Sequence, residues 1–265
     1  MNISKFFELR GKLDHKTGFI ISVIGFILLM SLWIFITAFE LVPRQLLPSP
    51  WKVISSFNEL HYKNALVRNL SYSVYLNFMG YVEAVSVSLI IGFVMGMFPL
   101  FRDLFSRYLN AARFVPMTAV TGLFIAWFGI ETNMKIQFLA VGIIVYLIPV
   151  VIQRIDEIDS VYEQTAITLG AKAWQRITSV YIPSVLSRIF DDIRILLAIS
   201  WTYIIVAEMI NSSSGGIGSL AFLSAKQSRI DKVFAVLLVI ILVGFIQDKL
   251  FEFLDRKFFP FKYLS

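Results

Sequence analysis

Two carboxylates, Glu83 and Glu208, lie inside long apolar stretches of the chain. A charge at the centre of a bilayer costs about 2.5–3.5 kcal/mol, so carboxylates in such places often belong to ion or substrate paths. Glu208 lies near Asn211, where it either lines the outer mouth of a path or accepts hydrogen bonds from neighbouring backbone. Glu83 follows tyrosines and Asn77, and a packing or interface role is expected for it.

Groups for other chemistry are scarce. The chain has no cysteine, and its two histidines, His15 and His61, are far apart, so neither a disulfide nor a histidine metal centre is expected. The pair Gly11-Lys12 is no phosphate loop, because Phe6 and Leu13 stand where that loop needs glycine and Ser or Thr. With no nucleophile-and-base signature either, the chain is not expected to be an enzyme or to hold a cofactor.

Composition places the chain in a membrane. Hydrophobic residues make up 57%, charged residues 16%, and the mean hydropathy is +0.75. At about 20 residues per spanning helix, 265 residues allow one domain of five or six spans. The net charge of +6 is assigned to Lys and Arg at cytoplasmic helix ends, with no nucleic acid partner.

Apolar runs predict an all-α bundle of six transmembrane helices, at 19–39, 74–100, 116–130, 134–152, 189–210 and 233–254. The first run is too long for a signal core and lacks a cleavage site, so it is read as a retained span. Residues 1–18 are expected to form a cytoplasmic amphipathic segment before a single transmembrane domain, 19–265. With both termini inside, about twice as many basic residues fall on the inner side as on the outer.

One inner connection is polar and helix-forming: YEQTAITLGAKAWQRITSVYIP, residues 162–183, called the polar hairpin below. It predicts two short helices, 161–169 and 173–180, with a break at Gly170 and Pro183 in the first turn of the next helix. Each helix has a narrow apolar stripe: Tyr162, Ala166 and Leu169 on one, and Trp174, Ile177 and Tyr181 on the other. These stripes either pack on the inner ends of the chain or insert into a groove of a partner protein.

The polar hairpin resembles the cytoplasmic signature of the permease subunits of ATP-binding cassette importers, which reads E-A-A, three variable positions, G, and later a hydrophobic-Pro pair. Gln164, Thr165, Ala166 and Gly170 match it here, although the family usually has Glu and Ala at the first two positions. The resemblance implies that ATPase coupling rests on Glu163, Gln164, Thr165, Ala166, Gly170, Ala171, Trp174 and Pro183, in a coupling loop at about 153–188.

Four further stretches resemble the nitrate, sulfonate and taurine branch of that family. They are LPSP at 47–50, VPMTAVTGLFIAWFGI at 115–130, VAEMINSSSGGIGSLAF at 206–222 and GFIQDKLFEFLDRKFFPF at 244–261. The resemblance implies a type I importer permease in the bacterial cytoplasmic membrane, importing nitrate, a sulfonate, taurine or a similar anion by alternating access. It also implies a homodimer, two ATPase subunits that bind the ATP and Mg, and an external substrate-binding protein.

Polar groups in the predicted spans are candidates for the path or its gate: Thr118, Thr121, Ser200, Trp201, Thr202, Glu208 and Asn211. Gly92 and Gly96 form a G-x-x-x-G pair that predicts close helix packing. Residues 47–58 predict an outer interfacial helix with Trp51 as anchor. Two alternatives stay open: another cargo, such as bicarbonate or a thiamine precursor, and a self-sufficient secondary transporter.

Overall fold

The computed structural model describes residues 13–263 together with Glu8 and Gly11. Every regular element in these residues is helical. The α-helices are α1 (His15–Ala38), α2 (Pro50–Tyr62), α3 (Leu66–Met97), α4 (Pro99–Ala112), α5 (Thr121–Phe128), α6 (Thr132–Asp156), α7 (Ser160–Thr168), α8 (Ala173–Arg176), α9 (Ile182–Ile210), α10 (Ile217–Lys226) and α11 (Ile230–Phe258). Most of the predicted N-terminal segment, 1–18, lies outside the described residues.

Five helices are long and apolar enough to cross a membrane: Lys16–Ala38, Leu66–Met97, Thr132–Asp156, Ala173–Ile210 and Ile230–Phe258. The prediction of a single straight span at 116–130 is wrong. That stretch forms a 3₁₀ turn, Met117–Val120, followed by the short α5, and the two meet α4 at 93°. Pro116 explains the break, because the residue before a proline is kept out of the helical region. Within residues 13–263, only α4 and α5 together could make a sixth crossing.

Helices α3 and α6 form the centre of the core, and they run parallel. Going down both helices, Gly80 meets Leu139, Gly92 meets Val151 and Gly96 meets Ile155. A Cβ on Gly92 would lie 2.5 Å from that of Val151, so the predicted close packing at this glycine pair is confirmed. Because both helices run the same way, the intervening α4 and α5 must bring the chain back to the starting side.

The first helix, α1, lies against the bundle near its C-terminal end only. None of the most apolar part of α1 is buried within the chain. Trp33 provides the main contacts of α1 with the bundle. Its indole Nε1 donates to the Pro48 carbonyl at 3.0 Å, and its ring centroid lies 5.8 Å from that of Phe234. Its open apolar surface is suited to lipid.

The predicted interfacial helix forms α2 and extends to Tyr62. Ser49 caps its first turn, with Pro50 at the first helical position. Val53 and Leu60 are fully buried beneath it, whereas Trp51 is 77% exposed. The Glu59 carboxylate holds α2 to the start of α11 through Arg229, at 2.9 Å, and Lys232, at 3.0 Å. This helix is therefore held firmly against the start of α11.

Candidate functional site

The first half of the polar hairpin is α7. Asp159 starts it by accepting a hydrogen bond from the Val161 N–H at 2.9 Å. Gly170 ends it with φ +80°, a left-handed conformation that glycine adopts at little cost. The Ala171 N–H then donates to the Ala166 carbonyl at 2.9 Å, which closes a Schellman turn. The predicted break at Gly170 is confirmed, and α7 begins and ends within one residue of the prediction.

The second half of the polar hairpin is not a separate helix, so the prediction of a short helix at 173–180 is wrong. One helix runs from Ala173 to Ile210, with a π-helical turn at Ile177–Tyr181. In that turn the Ile182 N–H donates to the Ile177 carbonyl, five residues back. Pro183 has no N–H to continue an α pattern, and the wider turn takes up this mismatch. Ala173–Tyr181 is therefore a rigid extension of a membrane-spanning helix.

Glu163 joins the two halves of the hairpin. Its carboxylate accepts hydrogen bonds from Arg176 Nη1 at 2.7 Å and from the Tyr181 hydroxyl at 2.8 Å. Charge-assisted hydrogen bonds of this kind hold a fixed geometry. Among the other predicted coupling residues, Ala166 and Ala171 are half-buried, and these are exposed: Gln164, Thr165, Gly170, Trp174 and Pro183.

Much of the apolar surface of the hairpin is open. Leu169 is 82% exposed, Trp174 70% and Tyr162 60%. For these three side chains, packing on the inner ends of the chain is the wrong interpretation. Ile177 and Tyr181 are half-buried, and Tyr181 packs against the core. The hairpin therefore has an anchored base and an apolar tip that no described residue covers.

An ion-pair cluster fixes the base of the hairpin between α6 and α9. Arg154 donates two hydrogen bonds to Asp192, at 2.7 and 2.8 Å, and a third to Glu157 at 2.6 Å. Arg188 donates to the Glu157 carbonyl at 2.9 Å. The hydrogen bond from Arg154 holds the pKa of the Glu157 carboxyl below its ordinary value. Sequence reasoning missed this cluster, although Asp192, a carboxylate within the predicted span 189–210, was a signal for it.

The structure separates the seven path candidates. Ser200, Trp201, Glu208 and Asn211 are buried, whereas Thr118 and Thr202 are exposed and Thr121 is half-buried. Ser200 accepts a hydrogen bond from Asn77 at 2.8 Å, and the Trp201 indole donates to Gln247 at 2.7 Å. These contacts join helices within one chain. Only the three threonines lie where a path on the open surface could reach them.

Glu208 is fully buried near the C-terminal end of α9. Its carboxylate accepts hydrogen bonds from the Ser73 hydroxyl at 2.5 Å and the Gly218 N–H at 2.7 Å. These partners favour the second interpretation of this residue, a carboxylate that accepts hydrogen bonds from its surroundings. Glu83 likewise accepts from Gln137 Nε2 at 2.9 Å, linking α3 to α6 as a packing role requires.

Sequence reasoning also missed Lys135, a fully buried lysine near the start of α6. Its ammonium group donates to the Ser214 hydroxyl at 2.5 Å and the Asn211 carbonyl at 3.3 Å. It thereby ties α6 to the link between α9 and α10. A lysine inside the predicted span 134–152 was the available signal. Across residues 13–263, no group of three or more acidic or histidine side chains is placed to hold a metal ion.

Residues 85–260 match the model of a protein family described as binding-protein-dependent transport system inner membrane component. The aliphatic sulfonates transport permease SsuC of Bacillus subtilis is 31% identical over 86% of this chain and 83% of its own. The taurine transport system permease TauC of Escherichia coli is 24% identical over 88% of this chain and 86% of its own. The fold is that of the MetNI methionine ABC transporter in an inward-facing conformation, with a TM-score of 0.66 and 17% identity over 72% of this chain and 95% of that one.

Two thirds of the chain match the family model, and SsuC aligns over most of both chains. The chain therefore belongs to the binding-protein-dependent inner-membrane permeases of ATP-binding cassette importers, in the branch of the sulfonate and taurine permeases, and it is a transport subunit rather than an ATPase.

Proposed function

We propose that this chain forms the translocation path of an ATP-driven importer for a small anion such as a sulfonate, taurine or nitrate. Two copies of the permease form the path by alternating access. Two ATPase subunits, which bind the ATP and Mg, contact the polar hairpin from the cytoplasm, and an external binding protein delivers the cargo. Both termini then lie in the cytoplasm of a bacterial inner membrane.

The exposed apolar tip of the polar hairpin is the observation that carries this proposal. Leu169 and Trp174 are largely exposed in a connection that a membrane protein presents to water. Apolar side chains on a short amphipathic helix are the usual means of binding a groove in a partner. The base beneath them is tied by Arg154 to Asp192, and its second half continues into α9. Movement of a partner at the tip would therefore move a spanning helix.

The cargo is inferred from the relatives, because SsuC and TauC are described as permeases for aliphatic sulfonates and taurine. Bicarbonate or a thiamine precursor is the alternative on the same scaffold. Uptake of labelled taurine, nitrate and bicarbonate, in vesicles that contain the permease with its ATPase and binding protein, separates these cargoes. A secondary transporter is disfavoured, because Glu83 and Glu208 are held by neutral donors and do not form a chain of ionisable groups.

Co-purification with the ATPase tests the coupling role directly. We would extract the tagged chain from native membranes and compare it with Trp174→Ala and Leu169→Glu. Both side chains are exposed, so neither substitution disturbs the core. The matched control is Trp51→Ala, because Trp51 is 77% exposed on α2 at the other end of the bundle. An ATPase should co-purify with the native chain and the Trp51 variant, and should be reduced at least tenfold with Leu169→Glu.

Two results would contradict the proposal. One is that no nucleotide-binding subunit co-purifies with the native chain. The other is that ATPase recovery falls equally with Trp51→Ala and Trp174→Ala. Uptake driven by an ion gradient in vesicles without ATP would instead favour the secondary transporter.

A further inference from the structure

We propose that a polar cleft at the outer end of the bundle binds a small oxoanion, a sulfonate or sulfate, with Arg68 as its charged anchor. The cleft has a volume of 560 Å³. It is formed where α3 begins, where α6 begins and where the link between α9 and α10 passes. Its polar lining consists of Arg68, Asn69, Tyr72, Glu131, Thr132, Ser213 and Ser214.

Arg68 is the residue in the cleft that suits an oxoanion. Its guanidinium group presents a planar fork of donors that matches two oxygens of a sulfonate or sulfate. Neighbouring carboxylates of the outer face are already engaged, since Glu40 pairs with Arg44, and Glu59 pairs with Arg229 and Lys232. Among the described residues, Arg68 has no ion-pair partner of its own. It is exposed on the first turn of α3 and available to a ligand.

The remaining walls add partial positive charge. Ser213 is exposed, and its hydroxyl donates to Asn211 Oδ1 at 2.6 Å, so it serves as a reporter position rather than as a donor to the anion. Beneath the link, the fully buried ammonium group of Lys135 donates to Ser214, and the buried Glu208 carboxylate nearby offsets its charge. Both α3 and α6 begin at the cleft without a side-chain cap, so the first N–H groups of each helix add partial positive charge.

One group in the cleft opposes an anion, and it provides a test. Glu131 is exposed at the rim, directly before α6. It is one negative charge beside Arg68, because the charges of Lys135 and Glu208 offset each other beneath the cleft. Neutralising Glu131 should therefore strengthen the preference for anions, whereas neutralising Arg68 should weaken it. These opposite responses measure the local electrostatic potential, and protection by an added oxoanion is the separate test of binding.

The absence of cysteine from the sequence allows a direct measurement in the full-length chain. Ser213→Cys places a single thiol on the exposed link. Its reaction rates with 2-sulfonatoethyl methanethiosulfonate, an anion, and 2-(trimethylammonium)ethyl methanethiosulfonate, a cation, are each divided by the rate with the neutral methyl reagent. This division removes differences in thiol exposure or folding between variants. Measurements at low ionic strength keep the local charges unscreened.

The anionic reagent should be favoured in the reporter chain. Arg68→Gln should lower the ratio of anionic to cationic rates about fivefold, the size expected for one unit charge some 8 Å away in water. Glu131→Gln should raise the ratio by a similar factor. Lys63→Gln is the matched control, because Lys63 is an exposed basic residue nearby that does not line the cleft, and it should leave the ratio nearly unchanged.

Protection of the reporter thiol by an added oxoanion distinguishes binding of that anion from an effect of the local electrostatic potential. Millimolar ethanesulfonate or sulfate should slow modification of the reporter more than chloride does at equal ionic strength, and Arg68→Gln should abolish the difference. The proposal is overturned if Arg68→Gln changes the ratio no more than Lys63→Gln, or if neither oxoanion protects. That the cleft is the first contact of the transported cargo rests on the proposed function. The labelling needs neither ATPase nor transport, so co-purification can fail while this site stands, and the reverse also holds.

Discussion

Arg154 on α6 and Asp192 on α9 form a two-point ion pair, with Nε to Oδ2 at 2.7 Å and Nη2 to Oδ1 at 2.8 Å. It lies at the base of the polar hairpin, where the two helices that carry the hairpin come together. Side-chain exposure is only 27% for Arg154 and 15% for Asp192. A bidentate, half-desolvated pair of this kind fixes the angle between two helices better than a single surface contact does.

Asp192→Asn should loosen this base. The substitution removes the charge and one of the two acceptors, and the free energy of unfolding should fall by about 1–3 kcal/mol. ATP-driven uptake should fall more than ATPase recovery, because the hairpin tip is unchanged while the contact between α6 and α9 at its base is weakened. The control is Arg44→Gln, which breaks the exposed pair with Glu40 and should cost less than about 0.5 kcal/mol. Equal losses of uptake and ATPase recovery would mean that the ion pair at the base also affects ATPase binding at the hairpin tip.

Glu208→Ala should destabilise the bundle around the C-terminal end of α9 by about 2–4 kcal/mol, because it leaves the Gly218 N–H buried without its acceptor and the Ser73 hydroxyl with only the Asn69 carbonyl, at 3.2 Å. Glu208→Gln should cost less than half as much, since its amide oxygen can still accept from Gly218 and its NH₂ can donate to Ser73. The midpoints of thermal unfolding in detergent check that Glu208→Ala is the less stable of the two variants. If the two variants unfold alike while uptake is lost in both, Glu208 acts on the path after all.

Gly92→Ala should separate α3 from α6, because its Cβ would overlap that of Val151. Overpacking of this kind costs about 1–3 kcal/mol. Gly244→Ala on α11 is the control, since a Cβ there meets nothing within 4 Å. Adding Val151→Ala to Gly92→Ala should recover part of the loss. The midpoint of thermal unfolding should rank Gly92→Ala lowest of the four chains, and an unchanged midpoint would mean that the helices separate at no cost.

Gly170→Ala should strain the turn of the polar hairpin rather than crowd it. A Cβ has open space there, but φ is +80°, which costs a residue other than glycine about 1–2 kcal/mol. Hydrogen exchange over residues 160–181 should be faster in this variant. Gly122→Ala on α5 also has open space and lacks the positive φ, so exchange in the hairpin should be unaffected by it.

Acid should release α2 from the start of α11. Hydrogen bonds from Lys232 and Arg229 hold the pKa of the Glu59 carboxyl below its ordinary value of 4.5. A lowered pKa in the folded state means that the contribution to stability is fully present above pH 4.5 and is lost as the pH falls through the folded-state value.

Hydrogen exchange of residues 50–62 measures this release. The native chain should be better protected than Glu59→Gln at neutral pH, and the two should converge as the pH falls below 4.5. A difference that stays constant over the whole range would mean that the carboxylate charge does not hold α2.

Local chemistry along the sequence determined a large part of this protein. Apolar runs of about 20 residues indicate spanning helices wherever they occur, because a bilayer leaves no other way to satisfy the backbone. Five of the six predicted runs lie on such helices. Gly170 marks the turn of the hairpin for an equally local reason, its low cost at positive φ. The short motifs sufficed for the family, because their order and spacing are properties of the chain itself.

Only the tertiary structure decided how charged and polar groups pair across the bundle. Arg154 and Asp192 are 38 residues apart and Ser73 and Glu208 are 135 apart, and no pattern in one sequence relates the rotation of one helix to that of another. The bend between α4 and α5 belongs here too. Its sequence is apolar enough for a straight span, and the parallel packing of α3 on α6 is what requires the chain to return between them. Sequence therefore determines which segments enter the membrane, while contacts between distant residues decide which of their polar groups are buried in pairs and which stay open to a ligand.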